Sequence, residues 1–576
     1  MTNLRLSLFC AALLTAPVVT IAQPAEYTPV TDARLKNPEP GNWLHYRGNY
    51  QGWGYSPLAK INTGNVGKLQ LAWSFATGQV EGHQSPPFVN NGYMFVTTPG
   101  AQLIALDAKT GTELWRYKKE IPAEFLQLHP TNRGVALYGD RVYMATVDAN
   151  LVALDAKTGK VLWTTQVGDY KALQYITLAP LVAKGKVMVG SSGGETGVRG
   201  FVAAYDADSG KEAWRTYTTA APGEPGGDTW PGDTHKNGGG SIWITGTYDP
   251  DTNLSFWGTG NPAPWPTEGR KGDNLYTTSV VAMDVDTGKI KGHHQYHHND
   301  AWDWDEVSAP LLIDTEIKGK KVKAAVHAGR NGYLWMLERT AEGKINFIDA
   351  KAYVHNDVFT GIDAKTGRPS YNDSKRPGMG KAVNFCPSLW GGKDWPPEAY
   401  NPKTGLFYIP ANDNLCSELP AAEDIKYKKG DLYIGYPIEG VLGSLRFRDG
   451  KRPRTIGEIQ AWDLKTGKKA WGHKFDRPIW APLFTTGGGL LFAGGTNDRM
   501  FRAFDAKSGK VLWQTPTPSG VTAVPMSFEV GGEQYIAVQS GWGVDAQRMQ
   551  DGMNTLLKNK TPVPQGGVVM VYKVGK

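Results

Sequence analysis

Cysteines, long hydrophobic runs and clustered basic residues are all scarce in this 576-residue chain. It has only three cysteines and no Cys-x-x-Cys-His sequence, which excludes covalent attachment of a c-type haem. Beyond the N-terminal segment, no run reaches the roughly 20 apolar residues that a membrane-spanning helix needs. The formal net charge is +7, but its basic residues are scattered, so we expect no nucleic-acid partner.

Residues 1–22 have the features of a secretory signal peptide. Arg5 precedes the apolar run from Leu6 to Ala22, and the run ends in a small-residue cleavage sequence. We therefore expect a periplasmic protein whose mature part is residues 23–576. Cys386 and Cys416 would then lie in an oxidising compartment, where a disulfide between them is expected.

Glycine and tryptophan are abundant, with 70 and 20 residues, and both recur in an internal repeat. The segment ALDAKTGTELW at 105–115 returns with small changes at 153–163, 204–214, 461–471 and 503–513. Weaker copies lie at 282–292 and 361–371, and a degenerate first copy lies at 65–73. Together these segments make eight copies.

Each copy has the pattern of two β-strands joined by a tight turn. The Asp caps backbone N–H groups, the Gly adopts positive φ, and the final Trp is placed to pack on a neighbouring unit. The repeat predicts an all-β fold, an eight-bladed β-propeller with Trp-ended blade repeats. Residues 567–572 should close the ring by pairing within the N-terminal blade. Because the first copy is degenerate, a seven-bladed ring is the alternative.

Three segments between the expected strands carry acids, amides and clustered glycines: 190–200, 258–265 and 299–305. Taken singly, such loops are typical of turns and caps. Together, the Glu, Asn and Asp side chains of these segments form an oxygen-donor set that suits a hard cation such as calcium. The histidines near Asp303 lack zinc-ligand spacing and are expected at a surface strand end: His293, His294, His297 and His298.

Three loop motifs accompany the repeat: GTGNPAPW at 258–265, NDAWDWDEV at 299–307 and HAGRNG at 327–332. In this combination the chain resembles the methanol and alcohol dehydrogenases that depend on pyrroloquinoline quinone (PQQ), over essentially the whole mature chain. The resemblance implies PQQ and one metal ion near the propeller axis. It also implies oxidation of a primary or secondary alcohol to an aldehyde or ketone, with a separate soluble cytochrome c as electron acceptor.

The resemblance assigns roles to individual residues. Glu195, Asn261 and Asp303 match the metal ligands, and Asp303 also matches the catalytic base. Arg330 matches the residue that bonds the quinone oxygens, and with the metal it should polarise the quinone and keep the pKa of Asp303 low. Trp243 matches the floor beneath the PQQ ring. The other expected cofactor contacts are loop residues: Gln84, Arg133, Thr177, Ser192, Gly193, Gly194, Lys393, Asp394, Trp480 and Trp542.

The chain also departs from the family pattern. Gln127 and Leu128 stand where the family has two adjacent cysteines in a disulfide that covers the cofactor, so Leu128 or His129 is expected to cover it here. The resulting site should be more open, which favours a bulky alcohol, a sugar or a polyol as substrate. Gln84 stands where a Glu is common, and Asp394 stands where an Asn is common.

Asp305 matches an additional aspartate of the lanthanide-using branch of the family. As a fourth ligand it would suit a trivalent ion, since added negative charge offsets added positive charge. It could equally be a structural acid, so calcium and lanthanide both stay open. Cys386 and Cys416 match a structural disulfide of the family.

One alternative function is a non-catalytic propeller scaffold that binds other exported proteins, because the blade repeat also occurs in such proteins. A scaffold has no need for the Glu195, Asn261, Asp303, Arg330 and Trp243 combination, which favours the enzyme. The sequence leaves the oligomeric state open, including a homodimer.

Overall fold

The computed structural model describes residues 26–125 and 127–575, so the predicted signal peptide at 1–22 lies outside the described residues. Within them the regular secondary structure is almost entirely β-strand. Its α-helices are α1 (Asp32–Lys36), α2 (Ile438–Leu442) and α3 (Val544–Leu557). None of the described helices combines the length and the apolar character needed to cross a bilayer.

Eight antiparallel four-stranded sheets follow one another along the described chain, and we number them 1 to 8. Sheets 1 to 4 consist of Phe88–Asn90, Tyr93–Thr98, Gln102–Asp107 and Glu113–Lys118; Val135–Tyr138, Arg141–Ala145, Asn150–Asp155 and Val161–Gln166; Leu181–Ala183, Lys186–Gly190, Phe201–Asp206 and Glu212–Tyr217; and Thr247–Asp249, Leu254–Gly258, Ser279–Asp284 and Ile290–Gln295.

Sheets 5 to 8 follow the same order, except that the last strand of sheet 8 comes from the N-terminal part of the chain. They consist of Leu311–Ile317, Lys320–Ala328, Tyr333–Arg339 and Ile345–Ala352; Ala399–Asn401, Leu406–Asn412, Gly457–Asp463 and Lys468–Lys474; Phe484–Thr486, Leu490–Ala493, Met500–Asp505 and Val511–Pro516; and Met526–Val530, Glu533–Ser540, Val568–Val574 and Leu69–Ala76. Tyr55–Ser56 adds a short parallel strand to sheet 7.

The C-terminal strand joins the two ends of the described chain. Val568–Val574 pairs with Glu533–Ser540 on one side and with Leu69–Ala76 on the other. Because sheet 8 combines strands from both ends of the described chain, its pairing closes the ring of sheets. The all-β propeller fold and this closing pair are as predicted from the repeat.

In sheets 1, 2, 3, 6 and 8, the tryptophan of the repeat joins the sheet to the next one. The Trp115 indole of sheet 1 donates to the Ala156 carbonyl in the turn of sheet 2, at 3.0 Å. Its ring lies so close to Gly159 of that turn that a Cβ there would be 2.5 Å from the indole. Asp155 caps the same turn by accepting from the Thr158 N–H. The repeat is therefore a docking contact between sheets as well as a turn signal.

One assignment from the repeat is wrong. The copy at 361–371 belongs to a separate hairpin, Phe359–Ile362 with Pro369–Tyr371, and not to a four-stranded sheet. Sheet 5 itself turns through residues 340–344 without the Asp-x-x-Thr-Gly pattern. The hairpin has the same Asp-x-x-Thr-Gly turn sequence as several of the blades. Its turn also docks in the same way, because a Cβ on Gly367 would lie 2.6 Å from the Phe347 ring of sheet 5.

Cys386 and Cys416 form the predicted disulfide. It links the end of Val383–Phe385 to Leu415–Leu419, two strands of a small three-stranded sheet completed by Leu445–Phe447. This sheet lies within the long insertions around sheet 6, so the bond stabilises loops rather than a blade.

The close contact between Trp115 and Gly159 predicts that the same Gly→Ala change costs more stability at Gly159 than at Gly139. Gly159→Ala and Gly139→Ala both place a side chain at positive φ, but only Gly159 faces a ring, while nothing lies within 4 Å of a Cβ on Gly139. We expect Gly159→Ala to destabilise the fold by about 1–3 kcal/mol more than Gly139→Ala, as measured by urea unfolding. Equal losses would show that the docked ring adds nothing.

Candidate functional site

The predicted site residues all lie in loops at one end of the sheets. In an antiparallel sheet, the residues before the first strand and those after the second strand meet at the same end. The Asp-Thr-Gly turns join the third and fourth strands at the opposite end. Residues before first strands are Gln84, Arg133, Thr177, Trp243, Asp303, Asp305, Lys393, Asp394 and Trp480; those after second strands are Ser192, Gly193, Gly194, Glu195, Asn261, Arg330 and Trp542.

A cavity of about 260 Å³ opens among these loops. It brings together most of the residues that the sequence singled out: Arg133, Thr177, Ser192, Gly193, Glu195, Trp243, Asp303, Asp305, Arg330 and Asp394. The others do not line it: Gln84, Gly194, Asn261, Lys393, Trp480 and Trp542.

Gly194 and Asn261 do not line the cavity, but they adjoin residues that do: Gly194 lies between Gly193 and Glu195, and Asn261 bonds Asp305. A Cβ on Gly194 would lie 3.2 Å from the Asn261 side-chain oxygen, and the Asn261 N–H donates to Asp305 at 2.5 Å. Lys393 turns away, donating to the Asp394 carbonyl at 2.8 Å and pairing with Glu398 at 3.3 Å. Gln84, Trp480 and Trp542 are buried.

Two buried oxygens in the site have no hydrogen-bond donor among residues 26–125 and 127–575. They are Oδ1 of Asp303 and Oδ1 of Asn261. Asp303 also has φ of +62°, a left-handed conformation that non-glycine residues seldom adopt and that is concentrated at functional sites. Buried acceptors without donors are costly, and a cation would satisfy both. With Glu195 lining the same cavity, these oxygens fit a hard metal ion.

Acidic groups dominate the charge of the site. Burial raises the pKa of Asp303 well above its usual value, and the neighbouring Asp305 and Glu195 carboxylates raise it further, although Arg330 opposes this. Burial likewise raises the pKa of Asp305 to about 7 despite Arg330. Arg330 lowers the Asp303 pKa, as expected, but burial outweighs this effect. A bound cation would lower the pKa further and favour the ionised carboxylate.

Arg330 is held in place at both its backbone and its guanidinium group. Nη1 donates to the Asp303 carbonyl at 2.8 Å, and Nη2 donates to the Asp394 carboxylate at 2.5 Å. Its backbone N–H donates to Glu306, which also bonds His327 at 2.6 Å. Asp394, the residue that replaces a common Asn, therefore neutralises Arg330 directly.

The expectation that the histidines near Asp303 form a surface strand end is wrong for two of them. His294 and His297 are buried. His297 bonds Asp300 at 3.0 Å, and Asp300 accepts the Asp303 N–H at 3.1 Å. The chain turns inward after the last strand of sheet 4, so His297 supports the backbone of Asp303 instead of facing solvent.

Trp243 and Arg133 combine an aromatic surface with a positive charge. The Arg133 guanidinium carbon lies 4.9 Å from the Trp243 ring centroid, and its Nη1 donates to Thr177 at 2.6 Å. The Trp243 indole donates to Asp305 at 3.1 Å, and Thr177 bonds Ser192 at 3.2 Å. A flat ring, two guanidinium groups and hydroxyl groups around one cavity fit a planar, multiply carboxylated cofactor such as PQQ.

The segment that replaces the paired cysteines is fastened by polar contacts. Leu128 and His129 both line the cavity. Arg548 of α3 donates to the Leu128 carbonyl at 2.7 Å and contacts His129 at 2.9 Å. His129 also bonds Tyr175 at 2.8 Å, and Asp545 pairs with Arg548 at 2.8 Å. Thus α3 holds this segment against the cavity without a covalent bond.

Sequence reasoning missed α3 and the apolar wall of the cavity. The signal for α3 was Asp545 and Arg548, an acid and a base three residues apart immediately after the predicted Trp542. The signal for the wall was an apolar stretch inside the long insertion between 363 and 463, where polar loop residues are usual. Its cavity-lining members are Leu432, Ile434, Ile438, Val441 and Leu442.

The contacts of Asp545 predict a pH-dependent stability. Although burial alone would raise the pKa of Asp545, the charges of His129 and Arg548 lower it below its usual value. A lowered carboxyl pKa stabilises the fold above the unfolded pKa of roughly 4, and this stabilisation is lost as the pH falls through the folded pKa. Asp545→Asn should therefore cost about 1–3 kcal/mol at pH 6, with a smaller deficit below pH 4.

Thermal unfolding between pH 3 and pH 7 measures this deficit. Asp551→Asn is the matched control, because Asp551 lies exposed on the same helix and bonds only within it, to Gln547 and Thr555. The control should unfold like the parent protein throughout. A deficit in Asp545→Asn that does not change with pH would contradict the ion pair.

Comparison with known proteins places these features in a family. The model of the glucose/ethanol/alcohol dehydrogenase β-propeller domain (PQQ) matches residues 43–358 and 473–536. Quinoprotein alcohol dehydrogenase PedE of Pseudomonas putida is 40% identical over 91% of this chain and 88% of its own length. PedH of the same organism is 37% identical over 91% of this chain and 90% of its own length.

Two relatives are named for a lanthanide. The lanthanide-dependent methanol dehydrogenase of Methylacidiphilum fumariolicum is 38% identical over 88% of this chain and 85% of its own length. The solved structure of a europium-containing methanol dehydrogenase superposes with a TM-score of 0.87 at 35% identity, covering 94% of this chain and 99% of the other. With the cavity and its residues, these matches show that the chain belongs to the PQQ-dependent alcohol dehydrogenase family.

Proposed function

We propose that this protein is a periplasmic dehydrogenase that uses PQQ and a metal ion to oxidise a primary or secondary alcohol to an aldehyde or ketone. The observation that carries the proposal is the unpaired Asp303 carboxylate oxygen in the same cavity as Glu195 and Arg330. The candidate substrates are bulky alcohols, sugars and polyols. A scaffold function is not favoured, because a scaffold has no use for unpaired buried acceptors.

When bound, PQQ supplies the two-electron oxidant, and the protein positions the alcohol and moves its proton. Asp303 Oδ1 accepts the hydroxyl proton as general base, which requires contact at about 3 Å and an ionised carboxylate. Glu195, Asn261 and Asp303 would hold the metal, whose charge keeps Asp303 ionised. Arg330, fixed by Asp394, would bond and polarise the quinone oxygens.

Asp305 decides which metal the site favours. Its carboxylate already accepts from the Asn261 N–H and the Trp243 indole. Burial raises its pKa, and the neighbouring Glu195 carboxylate raises it further. A fourth acidic ligand suits a lanthanide, whereas a purely structural Asp305 leaves calcium as the expected ion.

We further propose residues 1–22 as a cleaved signal peptide and 23–576 as one propeller domain. The disulfide between Cys386 and Cys416 supports an oxidising compartment. Because the sequence has no haem-attachment motif, electrons would pass to a separate soluble cytochrome c.

The base assignment predicts a separation of binding from turnover. Asp303→Asn should still bind PQQ, seen by its absorbance, while dye-linked alcohol oxidation falls by about 10²–10⁴-fold. The parent protein should need both PQQ and either calcium or a light lanthanide. Asp208→Asn, an exposed surface substitution, is the control and should keep full activity. Full turnover by Asp303→Asn would contradict the assignment of Asp303 as the general base.

The role of Asp305 predicts a change in metal preference. Asp305→Asn should lose more activity with lanthanum than with calcium, because one negative charge near the ion is removed. The measurement is the ratio of lanthanum-supported to calcium-supported kcat/KM in the variant and the parent. An unchanged ratio would mean that Asp305 has a structural role, as the acceptor of the Trp243 indole hydrogen bond.

A further inference from the structure

One wall of the candidate catalytic cavity is apolar, in contrast to its charged floor and to the polar side at His129 and Arg548. Asp303 and Arg330 lie at the floor, whereas the wall is hydrocarbon: Leu128, Leu389, Leu432, Ile438, Val441 and Leu442. Leu432, Ile438 and Leu442 are 41%, 42% and 48% exposed. Large apolar side chains left this exposed beside a deep cavity mark a binding surface.

Helix α2 explains why two of these side chains face the cavity. Ile438 and Leu442 are one helical turn apart and share a face. Val441, between them, is only 8% exposed and packs in the core with Trp265 and Leu389. The helix is thus anchored through Val441 while its other two apolar side chains stay uncovered.

The chain preceding α2 is fastened to the loops of the catalytic site. The Tyr433 N–H donates to the Glu195 carbonyl at 2.7 Å, and the Ile434 carbonyl accepts the Trp265 N–H at 3.2 Å. Tyr436 packs against Trp265, with ring centroids 6.0 Å apart. The wall is therefore a built part of the site, held at a fixed position relative to Glu195.

We propose that this wall binds the hydrocarbon body of the alcohol substrate, so that the enzyme acts on bulky, largely apolar alcohols and discriminates against sugars and polyols. The proposal rests on the proposed function and narrows its substrate class. A sugar placed against Ile438 and Leu442 would leave its hydroxyl groups without hydrogen-bond partners, which is costly on desolvation. A hydrocarbon ring would instead remove both side chains from water.

The test compares the holoenzyme with two double variants, assayed with a dye acceptor. Ile438→Ser/Leu442→Ser removes two of the three exposed apolar side chains of the wall. Val161→Ser/Leu162→Ser is the matched control, since both residues are exposed, at 39% and 45%, on the outer strand of sheet 2. The substrates are 2-cyclohexylethanol, ethanol and sorbitol.

We expect the parent enzyme to prefer 2-cyclohexylethanol to sorbitol by at least about 100-fold in kcat/KM. The wall variant should lose about tenfold for 2-cyclohexylethanol, mainly through KM, and change little for ethanol. The control should match the parent. A parent enzyme that prefers sorbitol, or a wall variant with unchanged KM for 2-cyclohexylethanol, would overturn the proposal.

Two further measurements distinguish alcohol binding at the wall from turnover and from protein docking. Calorimetry with 2-phenyl-2-propanol tests binding at the wall without turnover, because this alcohol has no carbinol hydrogen to lose. Weaker binding by the wall variant, but not by the control, supports the proposal. If no alcohol is oxidised at all, that result overturns only the proposed function.

Repeating the assay with a soluble cytochrome c tests a protein contact. A defect seen only with cytochrome and equal for all alcohols would make the wall a docking surface and overturn the proposal.

Discussion

The contact between a tryptophan of one sheet and the turn of the next connects the sheets. In the Trp115 contact, the indole N–H bonds the turn carbonyl while the ring occupies the space that a side chain on Gly159 would fill. Trp73, Trp163, Trp214 and Trp471 make the same kind of contact with the following turn. Because the contact is directional, it sets the positions of sheets 1, 2, 3, 6 and 8 relative to the sheet that follows each of them.

With these docking contacts at one end of the sheets, the loops at the other end are free to vary. Those loops carry the acids, the arginines and Trp243, which come from sheets far apart in sequence. The burial that the sheets impose also raises the pKa values of Asp303 and Asp305. The scaffold thus stabilises the protein and also brings carboxyl groups together in a buried site, where a bound cation would favour their ionised forms.

Where the family has a covalent cover over the cofactor, this chain uses polar contacts from α3, and on another side of the cavity it adds an apolar wall. Arg548 and His129 hold the segment at Leu128 through hydrogen bonds, while α2 presents Ile438 and Leu442. Both features come from insertions or terminal segments outside the repeat. The segments that shape this cavity therefore lie where the sheets impose no constraint.

The sequence by itself determined the propeller, its closing strand, the disulfide and most of the predicted residues that line the cavity, because a turn motif and short loop motifs are local signals. It assigned one repeat copy to the wrong element, since the hairpin at 361–371 carries the same turn chemistry as a blade, whereas sheet 5 lacks that turn. Only the tertiary structure decided that His294 and His297 are buried, that Arg330 does not offset the burial of Asp303, and that Lys393 turns away. Burial and long-range pairing depend on segments distant in sequence, which no local pattern contains.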